Sequence, residues 1–152
     1  MLSSIIAAFL LAGRAEAQVT VGGSTQVSPP IDPCATKIKK FFVINLTTAG
    51  TTQIDAAVAS EFWYICSINV VTTLANSVLI ASDNDSGCGS LTAGLNGGTT
   101  SATGWPFTAG GGIALGVGNS FVMKSATANH YLCIATSVST QTSGGIVYVS
   151  AP

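Results

Sequence analysis

The chain has 152 residues and a formal net charge of −1, and 7 % of its residues are charged, against about 25 % in an ordinary soluble domain. This length fits one domain plus a leader and allows a sizeable core. A charge balance near zero gives no electrostatic footprint for nucleic acid, whose binding requires several phosphates to be neutralised. Because so little charge opposes association, we expect partners to cover much of the surface.

The first residues look like a secretory leader. Residues 5–11 form an apolar run that is too short to cross a bilayer as a helix. Ala15-Glu16-Ala17 then matches a small-x-small cleavage site. We therefore expect residues 1–17 to be a signal-like leader, with no stable membrane span after its removal. The alternative is an uncleaved apolar arm that docks on a neighbouring subunit, because no Lys or Arg precedes the apolar run.

Residues 18–36 have the composition of a linker arm. Paired glycines precede Pro29-Pro30, and no hydrophobic periodicity is present, which favours an extended chain. From residue 37 onward, short β-branched and aromatic runs alternate with Gly, Asn, Ser and Thr, which is typical of strands and turns. The predicted strands lie at residues 40–47, 52–57, 62–72, 77–82, 112–116, 119–124, 130–137 and 145–150.

About eight short strands with frequent turns predict an all-β fold, namely an antiparallel β-sandwich or jelly roll over residues 37–152 with an extended amino-terminal arm. Side chains alternate between the two faces of a strand. In the segment "EFWYICSINVV", this alternation predicts that Tyr64, Cys66 and Ile68 face the core, and that Trp63 and Ser67 face away.

The candidate reactive residues do not form a recognisable catalytic or metal-binding pattern. The four cysteines contain no pair two to four residues apart, which structural zinc sites usually require. His130 is the only histidine, and a lone strand histidine is a weak partner for a cysteine nucleophile. The acidic loop at 83–87 has Gly94 where a calcium loop of the helix–loop–helix type needs a bidentate acid. We therefore expect no catalytic residue, no metal, no cofactor and no enzymatic activity.

An even number of cysteines behind a leader predicts two disulfides among Cys34, Cys66, Cys88 and Cys133, with three connectivities. If residues 62–72 and 77–82 form a hairpin, Cys66 lies nearly opposite Asp83, and Cys88 is one loop away. This geometry favours a Cys66–Cys88 bridge. The remaining bridge, Cys34–Cys133, would fasten the arm to the outer side of the sheet.

The motifs "YICS", "GCGSLTAGL", "GGTTSATGW", "HYLCIATS" and "SGGIVYV" follow one another in an order that resembles a family of small cysteine-containing proteins encoded in tailed-bacteriophage genomes. The resemblance covers about residues 34–150, and the strands at 64–67 and 131–135 carry it best. It implies a β-sandwich protein of the virion, either a capsid decoration (cement) subunit or a head or tail fibre component. It supplies no catalytic residues.

Two hypotheses about function follow. The first is a structural protein on the virion surface that binds other virion proteins and copies of itself through edge strands and the arm, because unpaired edges accept another chain. The second is a secreted or surface binding module that recognises carbohydrate or a host surface through aromatic side chains. The candidate contacts are Trp105, a loop residue that could stack on a sugar, together with Trp63 and Tyr131.

Overall fold

The structure, a computed structural model, describes residues 31–152, in which one short helix and ten strands are found. In chain order they are α1 (Pro33–Thr36), β1 (Lys40–Leu46), β2 (Gly50–Asp55), β3 (Phe62–Thr72), β4 (Asn76–Asp83), β5 (Ala93–Gly94), β6 (Trp105–Phe107), β7 (Gly112–Leu115), β8 (Met123–Lys124), β9 (Tyr131–Thr136) and β10 (Thr142–Ala151), with a 3-10 turn at Ser101–Thr103.

The strands form two antiparallel sheets that pack face to face. The first sheet has the order β1-β10-β3-β7, and β8 also pairs with β3. The second has the order β2-β9-β4-β5, and β6 also pairs with β4. β1 and β2 each form one edge of their sheet, and the opposite edges are formed by the short strands β7 and β8 in the first sheet and β5 and β6 in the second. The predicted all-β antiparallel sandwich is confirmed.

The core lies between the two sheets and consists mainly of branched aliphatic side chains, which suit a pleated surface. Burying each of them stabilises the fold by about 1.5–3 kcal/mol relative to an exposed position. The buried cluster comprises Ile44, Trp63, Ile65, Ile68, Val70, Ile146 and Tyr148 from the first sheet and Val78, Ile80, Leu132 and Ile134 from the second.

Strand β3 contains a β-bulge at Cys66. In the ladder between β3 and β10, Val147 lies opposite Ser67, and the next residue, Tyr148, lies opposite Ile65. Cys66 therefore has no partner in this ladder. An extra residue of this kind bends the strand and reverses the alternation of its side chains.

The bulge changes which residues of β3 face the core. Trp63 and Ile65 belong to the buried cluster between the sheets, whereas Phe62, Tyr64 and Cys66 form a separate cluster on the outer side. The predicted face is therefore wrong on the amino-terminal side of the bulge and right beyond it. Strict alternation cannot locate a bulge, because both faces of this segment are apolar.

Strands β3 and β4 do not form the predicted hairpin. The short connection at residues 73–75 carries the chain from the first sheet to the second, so the two strands belong to different layers. Asn76 fixes this crossing, because its Oδ1 accepts hydrogen bonds from the backbone amides of Ser137 and Val138, and its Nδ2 donates to Thr142 Oγ1 at 3.1 Å. In the sequence, two apolar strands joined by a short connection are compatible with a hairpin within one sheet and with a crossing between two sheets.

Most of the longer predicted strands are present. The strand at 62–72 has the predicted bounds, β1 differs from the prediction by one residue at one end, and β4 and β9 differ by one residue at each end. The predicted strand at 119–124 is mostly irregular, since only Met123–Lys124 pairs with β3. Strands β5 and β6 have only two and three residues, which is too short to produce a hydrophobic period.

Candidate functional site

The four cysteines form two disulfides, but the predicted pairing is wrong. Cys34 is bonded to Cys66 with a Cα–Cα separation of 5.5 Å, and Cys88 is bonded to Cys133 with a separation of 6.0 Å. The physical reason is the crossing between β3 and β4. It removes Cys66 from the neighbourhood of Cys88, while Cys133 in β9 lies opposite Ala81 of β4, close to the loop that holds Cys88.

The Cys34–Cys66 disulfide anchors α1 to the outer side of the first sheet. Residues 33–36, which the sequence assigns to the arm, form this helix, and Cys34 is fully buried. Asp32 caps the helix by accepting a hydrogen bond from the Cys34 amide at 2.8 Å. Its other oxygen accepts from Ser120 Oγ and the Phe121 amide. The leader 1–17 and the arm up to residue 30 lie outside the described residues.

These hydrogen bonds also affect the carboxyl of Asp32. Desolvation alone raises its pKa, but the donors on Ser120, Cys34 and Phe121 outweigh it and hold the pKa below the usual value. Because the pKa is depressed in the folded state, the ionised Asp32 carboxylate stabilises the fold above about pH 4. This stabilisation is lost as the pH falls through the folded-state pKa. Asp32 is therefore a structural anchor for α1 and the 120–121 loop.

A small pocket of about 360 Å³ lies beside α1 and is lined by apolar and aromatic residues, including Pro33, Tyr64 and Phe121, and by the charged residues Asp32 and Lys124. The Lys124 ammonium lies 4.1 Å from the ring centre of Phe62 and 5.1 Å from that of Tyr64. A cation over aromatic faces at these distances is attracted by the ring quadrupoles. The cation is thus held by the protein's own rings.

The aromatic residues predicted to contact a ligand are not brought together. Trp63 is 1 % exposed, packs edge-on against Tyr148, and donates its indole N–H to the His130 carbonyl at 2.6 Å. Trp105 is half-buried against the core, and Tyr131 is half-buried at the start of β9. Trp63 is therefore a core residue, which the bulge explains.

His130 and the acidic loop have structural contacts. The His130 Nδ1 lies 3.1 Å from Thr92 Oγ1, and no acid or cysteine is hydrogen-bonded to the ring in the described part of the chain. The buried carboxylate of Asp83 accepts hydrogen bonds from the amides of Asp85 and Ser90 at 3.1 and 2.9 Å, which closes the loop that holds Cys88. Between residues 31 and 152, no group of three His, Cys, Asp or Glu side chains is placed to hold a metal ion.

A polar cluster joins the edges of the two sheets. Lys40 Nζ in β1 lies 2.6 Å from Asp55 Oδ2 in β2, and the negative charge of the same carboxylate acts on the Tyr148 hydroxyl of β10. Lys40 also lies 5.7 Å from the Trp63 ring centre. The Lys40–Asp55 pair is partly exposed, so it is worth about 0.2–1 kcal/mol by itself. Its structural consequence is to hold β1 against β2.

This cluster predicts an alkaline loss of stability. Burial, together with the negative charge of Asp55, raises the pKa of the Tyr148 hydroxyl far above its usual value. The unfolded chain releases the Tyr148 hydroxyl proton near pH 10, whereas the folded chain keeps it. The contribution of Tyr148 to the free energy of unfolding is therefore complete below pH 10 and falls above it by about 1.4 kcal/mol per pH unit. Urea unfolding at pH 8–11 should show this loss, and Tyr148→Phe should reduce the slope. An unchanged slope in the variant would contradict the assignment.

Charge is segregated to one end of the sandwich. Four charged residues lie at the same end of the two sheets, at strand positions next to residues 131–132 in the second sheet and 148 in the first. They are Lys40, Asp55, Asp83 and Lys124. The other charged residues of the described range lie in segments adjoining those ends, namely Asp32, Lys37, Lys39, Glu61 and Asp85. The opposite end, which we name the loop end, consists of residues 47–49, 73–75, 108–111 and 137–141 and carries no charged side chain.

The loop end is ordered by hydrogen bonds between its segments. The Thr73 amide donates to the Gln141 carbonyl at 3.0 Å, and the Thr73 and Thr140 hydroxyls lie 2.8 Å apart. The Ala49 amide donates to Ser139 Oγ at 3.0 Å. Two aliphatic side chains stand out from this network, since Leu74 is 56 % exposed and Val138 is 43 % exposed. The result is a pre-ordered, uncharged surface with apolar side chains on it.

An open groove of about 550 Å³ runs beside the second sheet. Serine and threonine residues make up most of its lining, among them Thr51, Ser90, Thr100, Ser101 and Ser137. None of the predicted aromatic contacts lines it. The groove therefore offers hydrogen bonds without a stacking platform.

Searches against protein-family models, curated proteins and solved structures find no match to this chain. The two disulfides indicate an oxidising environment, of the kind found outside the cell or in the secretory route. None of the helices between residues 31 and 152 has the length and apolarity that a membrane crossing requires.

Proposed function

We propose that the protein is a non-catalytic structural subunit of a tailed-bacteriophage particle, of the capsid decoration or fibre type, which sits on the particle surface and binds other virion proteins. The particle assignment comes from the sequence resemblance. The loop end is the observation that supports a docking role. Centres of protein interfaces are depleted in charge relative to the rest of the surface, and the loop end has this composition.

The order of the loop end supports docking on a fixed lattice. Its segments are held by backbone and hydroxyl hydrogen bonds, so little conformational entropy is lost when it binds. Pre-organisation of this kind raises affinity by reducing the cost of ordering. Leu74 and Val138 are the apolar contacts that such a partner would cover.

The two disulfides support a role that requires survival outside a cell, since each closes a long loop of the unfolded chain. The carbohydrate-binding alternative has less support. Trp63 is buried in the core and cannot contact a sugar, and Trp105 is half-buried against the core. The hydroxyl-lined groove is the remaining feature that favours that alternative.

Mass spectrometry of purified particles, encoded by the genome that carries this gene, tests the proposal. We expect the protein to be present at a fixed copy number relative to the major capsid protein and to remain bound after washing with salt. Leu74→Glu and Val138→Glu should each lower incorporation by about tenfold, which corresponds to about 1.4 kcal/mol of binding free energy.

The matched control is Val117→Glu. Val117 is 89 % exposed and lies between β7 and β8, away from the loop end, so a carboxylate there adds the same charge without changing the proposed contact. Absence of the protein from particles would refute the particle role. Equal incorporation of all three variants would refute the loop end as the docking surface.

A further inference from the structure

The outer edge of β1 is open to another strand. Residues 40–46 form seven consecutive strand positions that pair with β10 on one side, and no strand of residues 31–152 pairs with the other side. An edge of this kind presents unpaired amide and carbonyl groups, and proteins usually protect it with charges, prolines or a bulge. From Phe41 to Leu46 the strand contains none of these, and Lys40, the charge at its start, is held in the ion pair with Asp55.

The outer face beside this edge is apolar. Phe41 and Val43 project from it and are 64 % and 62 % exposed. The Phe41 ring lies across Gly145 of β10, where an added Cβ would approach a ring carbon to 2.6 Å. Val71 in β3 is exposed on the same face, but the polar residues Asn45, Asn69 and Ser143 lie between it and Val43. The apolar patch beside the edge therefore consists of Phe41 and Val43.

The positions of the lysines at the start of β1 favour antiparallel pairing of this strand with β1 of a second copy of the chain. If two β1 strands pair antiparallel about Val43, Lys40 of one copy lies beside Leu46 of the other, and Lys39 lies beside Thr47. Each lysine-bearing start of β1 therefore meets the uncharged loop end of its partner, and like charges stay apart. A parallel arrangement would set the lysines of residues 37–40 side by side, which is unfavourable.

The second sheet adds contact area. β2 is an edge strand of that sheet, and the Lys40–Asp55 ion pair places it on the same side of the sandwich as β1. A two-fold axis normal to the sheets pairs β1 with its copy and places β2 beside its own copy. One short strand pair alone would fall below the roughly 800 Å² per partner of a typical stable interface. Two adjacent edges, with the Val43 side chains of the two copies side by side on the outer face, make a more extensive contact.

We propose that the protein forms a two-fold symmetric dimer in which the β1 edges pair antiparallel about Val43, so that the first sheets of the two copies form one continuous sheet. A two-fold interface uses the same surface on both subunits, and an antiparallel edge strand meets this requirement by itself. The proposal concerns a surface distinct from the docking residues Leu74 and Val138 and does not depend on the particle role.

Sedimentation equilibrium of the full chain, from about 1 to 300 µM, is the first experiment. We expect a monomer–dimer equilibrium. Val43→Lys should weaken it by at least tenfold, because it places two like charges opposite each other at the centre of the pairing. Val117→Lys, which adds the same charge at the opposite edge of the first sheet, should leave it unchanged. A wild-type monomer at every concentration, or a dimer that persists in Val43→Lys, would overturn the proposal.

Hydrogen exchange on the wild-type chain provides a second measurement, which is valid even if the Val43→Lys variant does not fold. Amides of residues 41–46 that point away from β10 should be protected at high protein concentration and exchange faster on dilution. Protection that does not change with concentration would mean that another segment of the same chain covers the edge, and would overturn the dimer. Equal and rapid exchange at all concentrations would also overturn it.

Discussion

Replacing Trp63 with alanine is expected to destabilise the fold by about 3–5 kcal/mol, which is the usual cost of truncating a buried tryptophan. The side chain is 1 % exposed, lies between the sheets, and packs against Tyr148. Its truncation would leave a cavity at the level where Lys40, Asp55 and Tyr148 join the edges of the two sheets. Urea unfolding followed by far-UV circular dichroism measures the change.

Trp63→Phe is the informative comparison. Phenylalanine keeps an aromatic ring in the core but loses the indole N–H that donates to the His130 carbonyl at 2.6 Å. We expect a smaller loss, of about 1–3 kcal/mol, because that carbonyl is left without its partner. Near-normal stability of Trp63→Ala would show that the side chain faces outward, as strict alternation along β3 predicts, and would remove the bulge assignment.

Removing the disulfides one at a time is the second large expected effect. The Cys34–Cys66 bridge spans 32 residues and the Cys88–Cys133 bridge spans 45. The chain-entropy model values such loops at about 3.5–4 kcal/mol each. Paired Cys→Ala variants should each lower the melting temperature by on the order of 10 °C. Thermal unfolding at one pH and scan rate gives the comparison.

The two bridges should differ in what they release. Without Cys34–Cys66, α1 keeps only the contacts of Asp32 and its apolar packing, so its amides should exchange faster while the sandwich stays folded. Without Cys88–Cys133, the loop around Asp83 should lose order next to β4 and β9. Non-reducing peptide mapping checks the connectivity directly. A Cys66–Cys88 peptide would contradict the structure.

The sequence allows the strands of high apolar content to be located, because alternation and β-branched residues are local signals. It does not reveal the partner of each strand. The hairpin predicted for β3 and β4 and the Cys66–Cys88 bridge derived from it are wrong for one reason, since a three-residue connection can either reverse a chain within one sheet or carry it to the facing sheet. Asn76, whose hydrogen bonds fix the crossing, resembles an ordinary turn residue in sequence.

The loop end was missed for a related reason. Its four segments are far apart in the chain, and each alone reads as an uncharged turn. Only the pairing of the strands brings them to one end and the charged residues of the range 31–152 to the other. Composition indicates that charge is scarce, but its position depends on topology.

The placement of β10 has a consequence for how the molecule is made. β10 lies between β1 and β3, so residues 40–46 have no neighbour in their sheet until residues 142–151 are available. The first sheet cannot close during synthesis of its early strands, and contacts between such distant residues slow folding. Closure of the first sheet is therefore expected only after the last described strand has been synthesised, and the Cys34–Cys66 bridge, which spans 32 residues of an earlier part of the chain, can form before that point.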